Sequence, residues 1–80
     1  MTEHNTIVRQ IMIAVLELKP DVIIEDISMS SLPAWDSMRQ ISIITGLENE
    51  FGIFVEAEEA NKLTTFEKII SFIDKHPDID

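Results

Sequence analysis

The sequence contains no cysteine, so it offers no disulfide framework, no thiol nucleophile and no thiolate metal site. A reducing cytosol is compatible with that composition, and a cytoplasmic location is expected. Long hydrophobic runs are missing as well. Apolar stretches such as Ile11-Met12-Ile13-Ala14 and Val22-Ile23-Ile24 fall far short of the roughly 20 residues that a membrane span requires. Positive charge is scarce: 6 Lys and Arg stand against 15 Asp and Glu, leaving a net charge of −9 at neutral pH. Nucleic acid and anionic membrane are therefore poor partners, because both reward Lys and Arg. Basic protein surfaces are better ones, met quickly through electrostatic steering, although acidity alone also serves simply to keep a domain soluble.

Other signatures are absent too. The opening Met-Thr-Glu-His-Asn-Thr lacks a basic region followed by an apolar core, so no secretory signal is expected. His4 and His76 show no ligand spacing, and the acids Asp74, Asp78 and Asp80 lack the glycine and terminal glutamate of a calcium loop. Glu56, Glu58 and Glu59 read as a solvated face. No Ser-His-Asp arrangement can be assembled, so neither a metal site nor catalytic activity is expected. What remains is a chain of 80 residues, 45% hydrophobic, with no repeat or low-complexity tract. It reads as one domain over 1–80, an expected monomer. At that size only about 60 to 65% of the unfolded surface is buried, so the core is thin.

Helical periodicity dominates. Ile7, Ile11, Val15 and Leu18, widened by Val8 and Met12, predict a helix from Glu3 to Leu18 that ends at Lys19-Pro20. From Pro20 to Trp35 no long helical period exists, yet Val22, Ile24, Ile27, Leu32 and Trp35 suggest a loop packed across the helices, with a short turn near Glu25 to Ser28. Connections of this length are uncommon in compact domains and often functional. A second helix is predicted from Ser37 to Phe51, with Met38, Ile41, Ile44 or Thr45, Leu47 or Glu48, and Phe51 on its helical period and Gly52 as its left-handed terminator. Gly46, inside that helix, suggests a close neighbour. Ile53-Phe54-Val55 reads as an extended link, and Glu56 to Asn61 as one or two turns with Ala57 and Ala60 inward. A last helix starts at Thr64 or Thr65, with Thr64 and Glu67 as a capping box and Phe66, Ile69, Ile70 and Ile73 facing inward. It ends at His76-Pro77, and Asp78-Ile79-Asp80 is expected to fray. The expected fold is all-α: three main helices, one short helix and a long first loop.

The chemically suggestive stretch is Trp35-Asp36-Ser37-Met38. Asp36 is a good N-cap, since its carboxylate accepts the free N–H groups of a first helical turn. Ser37 then falls on that turn, where the positive end of the helix dipole favours a phosphate ester. An Asp-Ser pair alone identifies nothing, because it is common at helix starts. Together with Leu47-Glu48-Asn49-Glu50-Phe51 and Lys62-Leu63-Thr64-Thr65, however, the stretch resembles the acyl carrier proteins, over about Ile7 to Ile73.

The resemblance implies a four-helix acyl-carrier bundle in which Ser37 receives 4′-phosphopantetheine from coenzyme A, attached by a separate Mg²⁺-dependent phosphopantetheinyl transferase. It implies that Asp36 caps the helix and helps engage that transferase, and that Met38, where the family usually has Leu, both packs and meets partners. Arg39 is a candidate for partner recognition, with a local surface ion pair as the plainer alternative. Further partners implied are an acyl- or aminoacyl-activating ligase and synthase or acyltransferase enzymes with basic docking surfaces. The residues before Ser37 lack the Gly of fatty-acid carriers and the Gly-Gly-x-Ser pattern of peptidyl carriers, and Arg39 and Gln40 replace acidic or neutral residues. These departures resemble the Trp-Asp-Ser carriers of specialised lipid, polyketide, natural-product and envelope pathways. An aminoacyl carrier and an unmodified acidic interaction module are the alternatives. Trp35 itself reads as an ordinary core or lip residue.

Overall fold

The structure is a computed structural model that describes residues 2–76. Four α-helices follow one another: α1 (Thr2–Leu16), α2 (Ser37–Phe51), the single-turn α3 (Ala57–Ala60) and α4 (Phe66–Lys75), with a 3-10 turn at Ile24–Asp26 in the first loop. Among the described residues no strand occurs, only one bridge between Ser28 and Thr65. The expected all-α bundle of three long helices and one short one is the fold observed. Pro77 to Asp80, and the fraying expected there, lie outside the described residues.

Helix α1 packs against both α2 and α4. Its buried line is Val8, Met12 and Leu16, at 0%, 0% and 3% exposure, with Ile11 and Val15 partly buried beside it. The stripe is thus turned by about one residue from the one the periodicity suggested. The helix also stops short of Leu18. Glu17 adopts the left-handed region at φ 54°, and the Leu18 N–H returns to the Ile13 carbonyl at 3.0 Å, the six-to-one bond of a Schellman ending. Leu18 thereby folds back onto the core, and Pro20 only prevents a resumption.

Helix α2 has the predicted bounds, and both caps are as expected. The Arg39 N–H donates to Asp36 Oδ1 at 2.9 Å, while Gly52 takes φ 64° and its N–H reaches the Glu48 carbonyl. The inward face agrees with the prediction at Ile44, Leu47 and Phe51 but differs near the start of the helix. Gln40, Ile43, Ile44 and Leu47 are buried, whereas Met38 and Ile41 are 78% and 67% exposed. Met38 therefore does not pack into the core. Phe51 is partly buried and packs against the core as expected, its ring T-shaped to that of His4 at 5.4 Å between centroids. Gly46 does admit a close neighbour: a Cβ there would stand 3.0 Å from Ile11 Cγ2.

Helix α4 starts one residue later than the capping box implied. Thr65 is the N-cap and accepts the Lys68 N–H at 3.1 Å, because the Thr64 carbonyl is already held by the Met29 N–H at 2.9 Å. Phe66, Ile69 and Ile73 are buried and Ile70 partly so. In α3, Ala60 turns toward the core but Ala57 is exposed; one helical turn cannot bury both against the same neighbour. The first loop is anchored rather than loose. Ile24 and Trp35 are in the core at 0% and 1% exposure, and Ser28 and Ser31 hold their turn with mutual hydrogen bonds.

Candidate functional site

The start of α2 is fixed from two sides. Trp35, at the end of the first loop, is buried, and its indole N–H donates to Gln40 Oε1 at 2.6 Å. The Gln40 amide in turn donates to the carbonyls of Ala60 and Leu63 at 2.8 and 2.9 Å. One buried glutamine so joins the loop, α2 and the far end of α3, and every buried polar side-chain atom among the described residues has a partner. From the other side, the Arg39 guanidinium donates to the Val15 carbonyl, one of the free carbonyls at the end of α1, and lies 3.2 Å from the Glu17 carboxylate.

Between these anchors Asp36 and Ser37 face solvent. Ser37 is the first residue of α2, and its hydroxyl has no hydrogen-bond partner among the described residues. It is a free nucleophile placed where the N-terminal N–H groups and the helix dipole would favour a phosphate ester. Those are the properties a covalent phosphopantetheine site needs, so the residues present fit that group.

A groove of about 580 Å³ opens beside Ser37. Ile41, Ile44, Val55, Ala57 and Ala60 supply most of its apolar wall, with Thr45, Glu48 and Asn61 among its polar positions. Glu48 shapes it by accepting the Val55 N–H at 2.8 Å, pinning the link after α2. The side chains of Met38 and Ile41 project from α2 next to the serine.

No family model matches the chain. Comparison with curated proteins gives a clear result. An acyl carrier protein of Buchnera aphidicola is 35% identical over 68 residues, covering 85% of each chain. The chain belongs to the acyl carrier protein family. Another family member, from Zymomonas mobilis, is 28% identical over 76 residues, 95% of this chain and 97% of its own. A third, from Thermosynechococcus vestitus, is 33% identical over 58 residues, 72% of each. As a member of that family the chain is a carrier and not an enzyme. Among the described residues no group of His, Asp or Glu could hold a metal ion, and no helix is long and apolar enough to cross a membrane.

The structure brings Asp36, Ser37, Met38 and Arg39 together on one turn, but in different settings. Asp36 caps, Ser37 and Met38 are exposed, and Arg39 reaches back to α1. Sequence reasoning missed Gln40, the hub that holds this turn. A signal was present: Gln40 is the one polar member of the i, i+3, i+4, i+7 set completed by Ile43, Ile44 and Leu47.

Proposed function

We propose that this carrier is a single domain modified at Ser37 by a phosphopantetheinyl transferase using coenzyme A, and that it delivers an acyl group between separate enzymes of the cytoplasm. The observation that carries the proposal is the exposed, unpartnered Ser37 hydroxyl on the first turn of α2 in a chain of this family. When attached, phosphopantetheine supplies a terminal thiol that holds cargo as a thioester on a flexible tether, raising its effective concentration at each partner. The residues of the chain do the rest. Asp36 fixes the first turn so that Ser37 points outward, and it remains exposed to meet the transferase. Met38 and Ile41 present an apolar strip to partners, whose basic docking surfaces suit a chain of net charge −9.

The cargo best supported is an acyl chain rather than an amino acid. Ile41, Ile44, Val55, Ala57 and Ala60 beside Ser37 form a wall suited to aliphatic carbons. An activating ligase would load it, and a synthase or acyltransferase of a specialised lipid, polyketide or envelope pathway would receive it. Arg39 contributes to partner choice through the junction it makes with α1, since its guanidinium is already engaged there.

Intact mass tests the proposal. Incubation with coenzyme A, Mg²⁺ and a broad-specificity transferase should add one phosphopantetheine to the parent and none to Ser37→Ala, while both melt alike. A parent that stays unmodified with every transferase tried would leave the acidic interaction module as the better reading.

A further inference from the structure

A second groove, of about 770 Å³, lies on the other side of α3 and shares only Asn61 with the groove at Ser37. Its walls come from the link after α2, the residues after α3 and one stripe of α4. Phe54 stands at its edge, 75% exposed, and Phe72 and Leu63 line it. Together Phe54, Leu63 and Phe72 give this concavity an apolar wall that reaches solvent.

The charge around this groove is the reverse of the molecule's. Lys62, Lys68 and Lys75 all line it, half of the 6 cationic residues in a chain that carries 15 acids. Both arginines are engaged internally, Arg9 with Glu25 and Arg39 with Glu17. None of the three lysines has a carboxylate partner among the described residues; Lys68 reaches only the Thr64 hydroxyl, at 3.5 Å. The sequence of α4 arranges this. Lys68 and Lys75 are seven residues apart and share a stripe with Ser71 and Phe72, whereas Glu67 and Asp74 each sit one position earlier, about 100° around the helix. No acid stands three or four residues from Lys68, so no helical pair can neutralise it. Glu56 and Glu59 also line the groove, yet its balance stays positive.

We infer that this groove is a docking site for an acidic segment of a partner protein that inserts a large apolar side chain beside Phe54 and Phe72. Charge selects the occupant. Elsewhere the chain is acidic and repels such a segment, so the lysines fix where it lands, and Phe54 and Phe72 supply the apolar contact. Because the lining is distinct from that of the groove at Ser37, a partner held here leaves Ser37 accessible. Such tethering would keep the carrier near an enzyme through successive encounters.

The test uses the unmodified protein and so does not depend on the role of Ser37. A capped peptide of alternating Asp and Glu around a central Leu-Phe pair is titrated into ¹⁵N-labelled protein at low salt. Amide shifts are expected at Phe54, Lys62, Lys68, Ser71 and Phe72, fading as salt approaches about 1 M, where the Debye length is ~3 Å. Binding should weaken about tenfold or more in Lys62→Glu/Lys68→Glu and also in the milder Lys→Gln pair, which guards against misfolding. Phe54→Ser should weaken it as well, and the same peptide with Asn and Gln for its acids should not bind. Shifts confined to the Met38 and Ile41 face, or affinity indifferent to the lysine changes, would overturn the inference. So would the same amides shifting with protein concentration alone, which would identify a second copy as occupant. Lysine-dependent binding to phosphatidylglycerol vesicles but not to the peptide would do so too.

Discussion

Gln40→Met separates hydrogen bonding from packing at the turn that carries Ser37. The two side chains have similar length and volume, so the substitution opens little cavity. It does remove three hydrogen bonds from a site where Gln40 is 7% and Trp35 1% exposed. The indole N–H loses its acceptor at 2.6 Å and the Leu63 carbonyl its amide donor at 2.9 Å. The Ala60 carbonyl keeps one partner, the Leu63 N–H at 3.3 Å. Leaving a buried polar group unsatisfied costs about 1–3 kcal/mol. With two groups orphaned and some relaxation, the loss should be about 2–4 kcal/mol. A domain of this length has a total stability of roughly 4–12 kcal/mol. The melting temperature should therefore fall by about 8–32 °C, at roughly 4–8 °C per kcal/mol for this size.

The assay has a built-in reporter, because Trp35 is the only tryptophan. Thermal unfolding followed by circular dichroism gives the stability, and native-state emission reports whether the indole has lost its fixed partner. Both should change in Gln40→Met. A melt within about 1 °C of the parent, together with unaltered emission, would refute the claim that Gln40 joins the loop, α2 and α3.

Two other substitutions probe neighbouring parts of the structure. Ile69→Ala removes a fully buried side chain of α4 and should cost about 2–5 kcal/mol, whereas Phe51→Ala, at a half-buried position, should cost only about 1–2 kcal/mol; denaturant titration of both checks the order. Arg39→Glu sets a second carboxylate beside Glu17, so it should destabilise by about 1 kcal/mol and slow transfer with the cognate partner, while Arg39→Lys should largely restore the rate; equal rates for all three proteins at low salt would remove Arg39 from partner choice.

Helix number, order and caps were legible because they rest on local chemistry. Asp36, Gly52 and the threonines before α4 each satisfy backbone groups within a few residues, and a one-dimensional sequence records such relations. The inward face at the start of α2 was not legible, for a physical reason. Met38 and Ile41 are apolar and helically spaced, so they mimic a core stripe, while the true stripe contains a glutamine. Periodicity ranks faces by hydrophobicity and cannot tell a strip kept exposed from one that is buried. Only the distant Ala60 and Leu63 carbonyls make Gln40 a satisfied core residue. The end of α1 was hidden similarly, since a left-handed glutamate has no sequence signature as strong as glycine's. At the candidate site, the Asp36 cap and the exposed first-turn position of Ser37 could be read from the sequence. The groove beside them is built from α2, α3 and the connecting link, and had no counterpart in any single segment.

The two misread residues of α2 clarify how the exposed turn is held. The attachment point proposed at Ser37 would have to be open to partner enzymes, so it could not be stabilised by burying the residues that do the work. The chain instead fixes the residues next to them in sequence. Trp35, one position before Asp36, is driven into the core and tied to Gln40. Arg39, two positions after Ser37, is drawn back across to α1. Asp36, Ser37 and Met38 are thereby suspended between two internal anchors, and the Asp36 cap closes the turn between them. Rigidity and exposure would otherwise compete, because each buried contact that fixes a side chain also covers it. Placing the anchors at positions 35, 39 and 40 resolves that conflict within six residues.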